Sequence, residues 1–337
     1  MQEAVVAACL DLEQPQRALR YLEQIGDWRR GAAYADLAFY CARHGITQDV
    51  QSYLDRAAQI AEQAGDWQRD RIKAKIAQVH AYLGRAEAAA KSVQGVGAAE
   101  SGKVARAEAM VCPADSFDKT LEALGRLVST GQFDAVKSAL DAYAELFNRF
   151  YEDRERRTRV EEKIKASWTG LPVFVRVDLL AELVDFALAH ADQSKALELV
   201  NEAKAILDSA SWQPQSGIAM VARLAELRFR AGDKERARTE MQEVLKLFDA
   251  KRDAIVNIYR AQALRAIAEA YQGMGDAGAA REIYGRATEA GTENPNSRPR
   301  AEDLASTCCS MAVHAVEPSP GLWNRIREMR NRLGDPW

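Results

Sequence analysis

Residues Leu264–Ala287 read LRAIAEAYQGMGDAGAAREIYGRA, and within them Leu264, Ile267, Ala268 and Tyr271 recur at i, i+3, i+4 and i+7. That spacing is one face of an α-helix. Gly275 and Asp276 interrupt it: a glycine can close one helix, and the aspartate after it can cap the next. Ala280, Tyr284 and Ala287 then mark a second apolar face. The stretch predicts two helices folded back on each other by a tight turn, with the small Ala280 where their axes come closest. Neither helix can bury its apolar stripe alone, so neighbours of the same kind must supply the core.

Such neighbours lie upstream. Val221, Leu224 and Ala225 lead through Gly232-Asp233 to Ala237, Met241 and Val244; Leu180, Leu183 and Val184 lead through Ala191-Asp192 to Ala196, Val200 and Ala203. Tyr34, Leu37, Ala38 and Cys41 lead past Gly45 to Val50, Leu54 and Ala57. Turns are expected at Glu13–Gln14, Gly45–Ile46, Gly84–Arg85, Gly131–Gln132, Ala191–Asp192, Gly232–Asp233 and Gly275–Asp276. The small or branched residues after them are Ala18, Val50, Ala89, Val136, Ala196, Ala237 and Ala280, separated by 32, 39, 47, 60, 41 and 43 residues. These irregular spacings centre on the range of helix-pair repeats. A direct repeat supports them: Ile25-Gly26-Asp27-Trp28 recurs 39 residues on as Ala64-Gly65-Asp66-Trp67. There, too, the glycine is expected as a C-cap and the aspartate as an N-cap.

Composition agrees. Of 337 residues 47% are hydrophobic, enough for a large core, and only 9 are Pro and 20 Gly, so helix breakers are few. Leu171–Val177 comes nearest to a strand, and Pro172 weakens it. Lys and Arg total 46 against 49 Asp and Glu, a net charge of -3, which argues against a nucleic-acid partner. Cys9, Cys41, Cys112, Cys308 and Cys309 lack metal or redox spacing and are expected as packing residues in a reducing compartment, so the expected location is cytoplasmic. No apolar run is long enough to span a membrane, and the start has no signal-peptide pattern. Ala4 to Leu12 already reads as helix, as the start of a fragment would.

The units at 264–287, 221–244 and 180–203 resemble the tetratricopeptide repeat family: a large apolar residue, Leu or Ile then Gly or Ala, Tyr, then Ala, an aromatic and Ala in the second helix. The resemblance is best over 172–291 and weaker over 3–150. It implies an all-α, right-handed superhelical solenoid of antiparallel helix pairs, about seven or eight of them. It also implies a non-enzymatic scaffold whose first helices line a concave groove holding a protein or peptide. The groove residues are then the first-helix positions outside the packing signature: Glu182 and Asp185; Arg223, Glu226 and Arg230; Gln262, Arg265, Glu269 and Gln272. Arg223, Arg230 and Arg265 are the expected contacts for acidic groups. The Lys and Asn set with which some members clamp a C-terminal carboxylate is not repeated, so no such clamp is expected. Similar arrays sense a small ligand or a protein in bacterial signalling or transcription regulators, and that reading stands as the alternative.

Between Val136 and Ala196 the array is interrupted. Helix Gln132–Arg149 is followed by the charge-dense Tyr151–Trp168, expected as an inserted or extended helix with Val160, Ile164 and Trp168 on one face. Past the repeats, Asn294–Pro299 reads as a loop, followed by a helix from Arg300 to His314 and a last helix Gly321–Leu333 rich in Arg325, Arg327, Arg330 and Arg332. That last helix is expected as a polar cap or an Arg-rich docking face. The organisation expected is thus 1–150 irregular repeats, 151–171 the charged helix, 172–291 the clearer repeats and 292–337 a capping pair. No phosphate-binding loop, dinucleotide fingerprint, zinc-protease helix or nucleophile elbow is present, so neither catalysis nor a cofactor or metal is implied. His44 and His190 fall at first-helix ends, where an imidazole suits the helix C-terminus.

Overall fold

All seven expected turns contain a residue in the left-handed region: Glu13 (φ 55°), Gly45 (71°), Gly84 (71°), Gly131 (66°), Ala191 (57°), Gly232 (105°) and Gly275 (81°). Six of them close in one way, with the next residue's N–H reaching the carbonyl five residues back. Examples are Ile46 to Cys41 at 2.8 Å, Asp192 to Ala187 at 2.9 Å and Asp276 to Tyr271 at 2.9 Å. This is the Schellman closure, which satisfies carbonyls orphaned at a helix end. Asp192 and Asp276 then accept from Lys195 N (2.9 Å) and Ala279 N (3.0 Å), capping the following helices. A further turn of the same kind, at Ala315 (φ 52°) with Val316 N on Met311 O, directly follows the helix end expected at His314.

The computed structural model describes residues 2–333, apart from the side chains of residues 98, 99 and 101. Among these residues there is no strand, and eighteen α-helices follow one another. They are α1 (Gln2–Asp11), α2 (Pro15–Leu22), α3 (Arg29–Arg43), α4 (Val50–Glu62), α5 (Asp66–Tyr82), α6 (Ala86–Ser92), α7 (Ala98–Met110), α8 (Phe117–Ser129) and α9 (Phe133–Arg149). The rest are α10 (Arg154–Ser167), α11 (Val173–Ala189), α12 (Gln193–Asp208), α13 (Pro214–Arg230), α14 (Lys234–Lys251), α15 (Asn257–Gly273), α16 (Ala277–Thr292), α17 (Ser297–Val313) and α18 (Pro320–Arg332). The chain divides into two compact units, Gln2–Leu179 and Leu180 onward, so the division falls within α11.

In the first unit the odd-numbered helices form a row: α1 packs on α3, α3 on α5, α5 on α7 and α7 on α9, while α2 and α4 pack on both chain neighbours, α6 on α5, and α8 and α10 on α9. The two repeated tryptophans meet across this row, Trp28 and Trp67 standing edge to face at 5.0 Å. In the second unit α13 packs on α15 and α15 on α17 in the same way. The signature positions are where burial drives this stacking. Leu37, Ala38, Leu224, Ala225, Leu264, Ile267, Ala268 and Tyr284 are all buried, and so are all seven small residues after the turns.

Several expectations need correction. The 47-residue spacing between Ala89 and Val136 conceals a whole helix, α7. With α7 in the row, α9 is a row helix, and the turn at Gly131 joins one pair to the next instead of closing a pair. Accordingly it lacks the Schellman bond, and Gln132 N goes to Thr130 Oγ1 (3.3 Å) instead. The charged stretch is not an extension of α9: the chain turns at Tyr151–Glu152, and Asp153 caps α10 by accepting from Arg156 N (3.1 Å). Val160 and Ile164 are buried, while Arg156 lies over the rings of Phe117 and Phe150 and Arg159 reaches Asp118 of α8. Leu171–Val177 is no strand, because Pro172 precedes the first turn of α11, where its missing N–H costs nothing. Neither glycine of the direct repeat is left-handed; Gly65 is the N-cap of α5, its N–H taken by Gln68 Oε1 (3.1 Å). Half of the expected loop 294–299 is helical, since α17 starts at Ser297. None of the five cysteines forms a disulfide.

Candidate functional site

The nine expected groove residues lie on α11, α13 and α15, and several of them are held by side chains of a neighbouring helix. Arg230 of α13 donates to Asp185 of α11 at 2.7 Å and to Glu226 in its own helix at 3.4 Å. Burial pushes the Glu226 carboxyl up from its ordinary value, with Asp185 adding to the rise and Arg230 opposing it. Gly273 of α15 faces the same carboxylate: a Cβ there would stand 2.6 Å from Glu226 Cγ, so only glycine lets α15 approach this closely. One seam further, Arg265 reaches Asp303 Oδ1 and Thr307 Oγ1 of α17, each at 3.3 Å. Asp303 is also held by Asn294 Nδ2 at 2.7 Å. Glu269 accepts from Ser310 Oγ (2.5 Å), which meets the buried Tyr284 hydroxyl at 2.7 Å. Gln272 buries its Oε1 without a protein partner, Glu182 is half-buried, and Gln262 and Arg223 lie at the surface. Arg230 and Arg265, expected to greet a partner's acidic groups, thus already hold carboxylates of the chain itself.

Sequence reasoning also missed Arg228, a fully buried cation that ties three helices together. It donates to Glu240 of α14 (3.0 Å) and Asn201 of α12 (2.8 Å), with Asp233 at 3.6 Å.

The row of the first unit uses the same seam chemistry. Lys75 of α5 holds Asp36 of α3, and Arg106 of α7 holds Glu145 of α9 at 2.7 Å; each pair is 39 residues apart. That separation equals the offset of the Gly-Asp-Trp repeat, which is the signal that could have found them. Above these seams lies an open groove of about 600 Å³ to which all four helices contribute. Phe39 and Arg43 come from α3, Lys75 and Gln78 from α5, Gly102, Lys103, Arg106 and Met110 from α7, and Asp134, Lys137, Ser138 and Asp141 from α9. Its floor is tight, because Gly102 lets α7 press directly on Ser138.

Most groove charges are compensated locally. Lys103 pairs with Glu100 (2.6 Å) and Lys137 with Asp141 (2.7 Å). Two are not. Arg43 is exposed and lies over the Phe39 ring at 5.9 Å, and Phe39 in turn stands edge to face with Tyr82. Asp134 is exposed at the start of α9, with no cation paired to it among the described residues. The groove therefore carries a spare cation at its α3 side and a spare carboxylate at its α9 side. Row helices packed about 9 Å apart put roughly 27 Å between those sides, the span of about eight residues of extended chain.

No protein-family model and no curated protein matches the chain. Among solved structures the chain is similar to one described as "Circular tandem repeat protein with novel repeat topology and enhanced subunit contact surfaces". The identity is 14%, the match covers 98% of this chain and 87% of that one, and the TM-score is 0.20, too distant to speak to fold or function.

Proposed function

We propose that the chain is a non-enzymatic scaffold that holds an extended segment of a partner protein in the groove across α3, α5, α7 and α9. The observation that carries this reading is the groove's polarity, with Arg43 and Asp134 uncompensated at opposite sides and paired charges between them. Fixed ion pairs offer donors and acceptors in defined places, while Phe39 and Met110 supply apolar contact, the mixture found where specific segments bind. The segment that fits carries a carboxylate toward α3 and a cation toward α9. This reading moves the binding face from the second unit, where seam ion pairs occupy Arg230 and Arg265, to the first.

The helix pairs are taken, in the same reading, as tetratricopeptide-like, supported by the buried Ala196, Ala237 and Ala280 at their close approaches, and right-handed winding is what that resemblance implies. A cytoplasmic setting is supported by five cysteines that form no disulfide. The groove volume also lies within the range of small-molecule sites, which keeps a ligand-sensing array as the second reading.

A photo-cross-linking residue placed at Met110, with a control at the exposed Leu127 of α8, tests the proposal. A partner joined at 110 and not at 127, and lost on charge reversal by Arg43→Glu with Asp134→Lys, is the expected result. A partner that binds this doubly reversed protein as well as the wild type overturns it. Thermal stabilisation by a small metabolite, blocked by the Met110 label, would favour the sensing array.

A further inference from the structure

Arg325, Met329 and Arg332 lie four and three residues apart on α18 and so share one face. That face closes a pocket of about 310 Å³ whose other walls are Thr288, Gly291 and Thr292 of α16 and Arg300 and Leu304 of α17. Three guanidiniums thus converge on a cavity that is small for a peptide and right for a single substituent or a small metabolite.

Their charges are spent unequally. Arg325 is clamped bidentately by Glu289, Nε to Oε1 at 2.7 Å and Nη2 to Oε2 at 2.9 Å. Arg300 donates Nη1 to the carbonyls of Asn294 and Pro295, both at 2.9 Å, which fixes the side chain without neutralising it. Arg332 is exposed in the last turn of α18, with no carboxylate paired to it among the described residues. Among the described residues, two guanidiniums with no carboxylate partner therefore face one cavity, beside an Arg–Glu pair that is already neutral. The Thr288 and Thr292 hydroxyls donate to carbonyls of their own helix, so the ligand's donors must come from the arginines. Leu304, Met329 and Leu333 add an apolar wall.

We propose that this pocket binds a phosphomonoester, with Arg300 and Arg332 as its ligands and the apolar wall against its organic body. Two cations match a group whose charge near neutral pH approaches -2. Guanidinium forks match phosphate oxygens, and the three acceptor oxygens of a phosphomonoester can serve two forks at once. The carrier is either a phosphorylated side chain of another protein or a small phosphorylated metabolite. The pocket lies outside the groove of the first unit, so its fate and that of the groove are separate.

Calorimetric titration of the full chain in about 0.15 M salt, where exposed charges more than about 8 Å apart are screened, decides it. The probes are a phosphoserine peptide, the same peptide without phosphate, ribose 5-phosphate and ribose. Saturable binding by at least one phosphorylated probe is expected, with its phosphate-free counterpart at least about tenfold weaker; the probe that binds identifies the carrier. Arg332→Gln, at an exposed position, is expected to weaken binding about tenfold or more, as loss of one charge-assisted fork does, with the melting temperature unchanged. Arg300→Gln should do the same, and if it fails to fold, Arg332→Gln alone decides. The proposal is overturned if neither phosphorylated probe saturates, or if Arg332→Gln binds as tightly as the wild type.

Discussion

Gly102 sits in the middle of α7, where glycine costs about 1 kcal/mol relative to alanine. A Cβ there would stand 1.9 Å from Ser138 Oγ, 2.5 Å from Ser138 Cβ and 3.5 Å from Ser138 Cα. Rotating the serine removes the first contact but not the second, so Gly102→Ala forces α7 away from α9 by about 1 Å. Overpacking of that kind costs about 1–3 kcal/mol, and the helix preference of alanine returns about 1 kcal/mol. The single variant is thus expected to lose about 0–2 kcal/mol, which alone decides little. The double variant with Ser138→Gly decides more, because it removes both clashing atoms. Its coupling with Gly102→Ala should be about 1–3 kcal/mol in favour of the pair. The assay is a thermodynamic cycle of urea unfolding followed by circular dichroism, with hydrogen exchange of α9 amides locating the effect. Additivity within about 0.5 kcal/mol, the behaviour of independent sites, would refute the close approach and with it the floor of the groove.

Other outcomes follow from the seams and turns. Ala191 is held at φ 57°, a backbone region that costs a side chain about 1–2 kcal/mol, so Ala191→Gly should raise stability by about 0.5–1 kcal/mol in the same urea assay. Arg228→Ala strands the Glu240 carboxylate in the interior and should cost about 3–5 kcal/mol, whereas Arg236→Ala at the exposed partner of Glu240 should cost under about 1 kcal/mol. Equal losses in the two variants would count against the clamp. The Glu226 carboxyl titrates above its ordinary 4.5, so the folded state binds its proton more tightly than the unfolded chain does, and this group's contribution falls as pH rises from about that value. Melting curves from pH 4 to 8 should accordingly decline less with rising pH for Glu226→Gln than for the wild type; identical profiles would contradict the shift.

Helices and turns were legible where the signal is local. A left-handed residue must follow a helix end that closes with a Schellman bond, and glycine at 45, 84, 232 and 275 announces it. Glu13, Ala191 and Ala315 adopt that conformation without glycine, and where the chain joins α7 to α8 through Val111–Ser116 with no left-handed residue at all, the announcement is missing. Missing α7 then misplaced α9 by one position in the row and made α10 look foreign. The site was less legible than the fold. Asp185, Arg230, Arg265 and Glu269 lie on α11, α13 and α15, but a one-dimensional pattern cannot tell a charge that faces a partner from one that faces the next repeat. Both leave the apolar stripe intact.

From the sequence alone, then, came the helical class, the turn positions and the buried small residues, because these follow from spacing within one helix pair. Only the tertiary structure decided which charges are spent. Lys75 with Asp36, Arg106 with Glu145 and Arg230 with Asp185 each compensate across a seam between helices some 40 residues apart. Arg43, Asp134, Arg300 and Arg332 stand out only after that compensation is known, since free charge is a property of the packed row and not of any single helix.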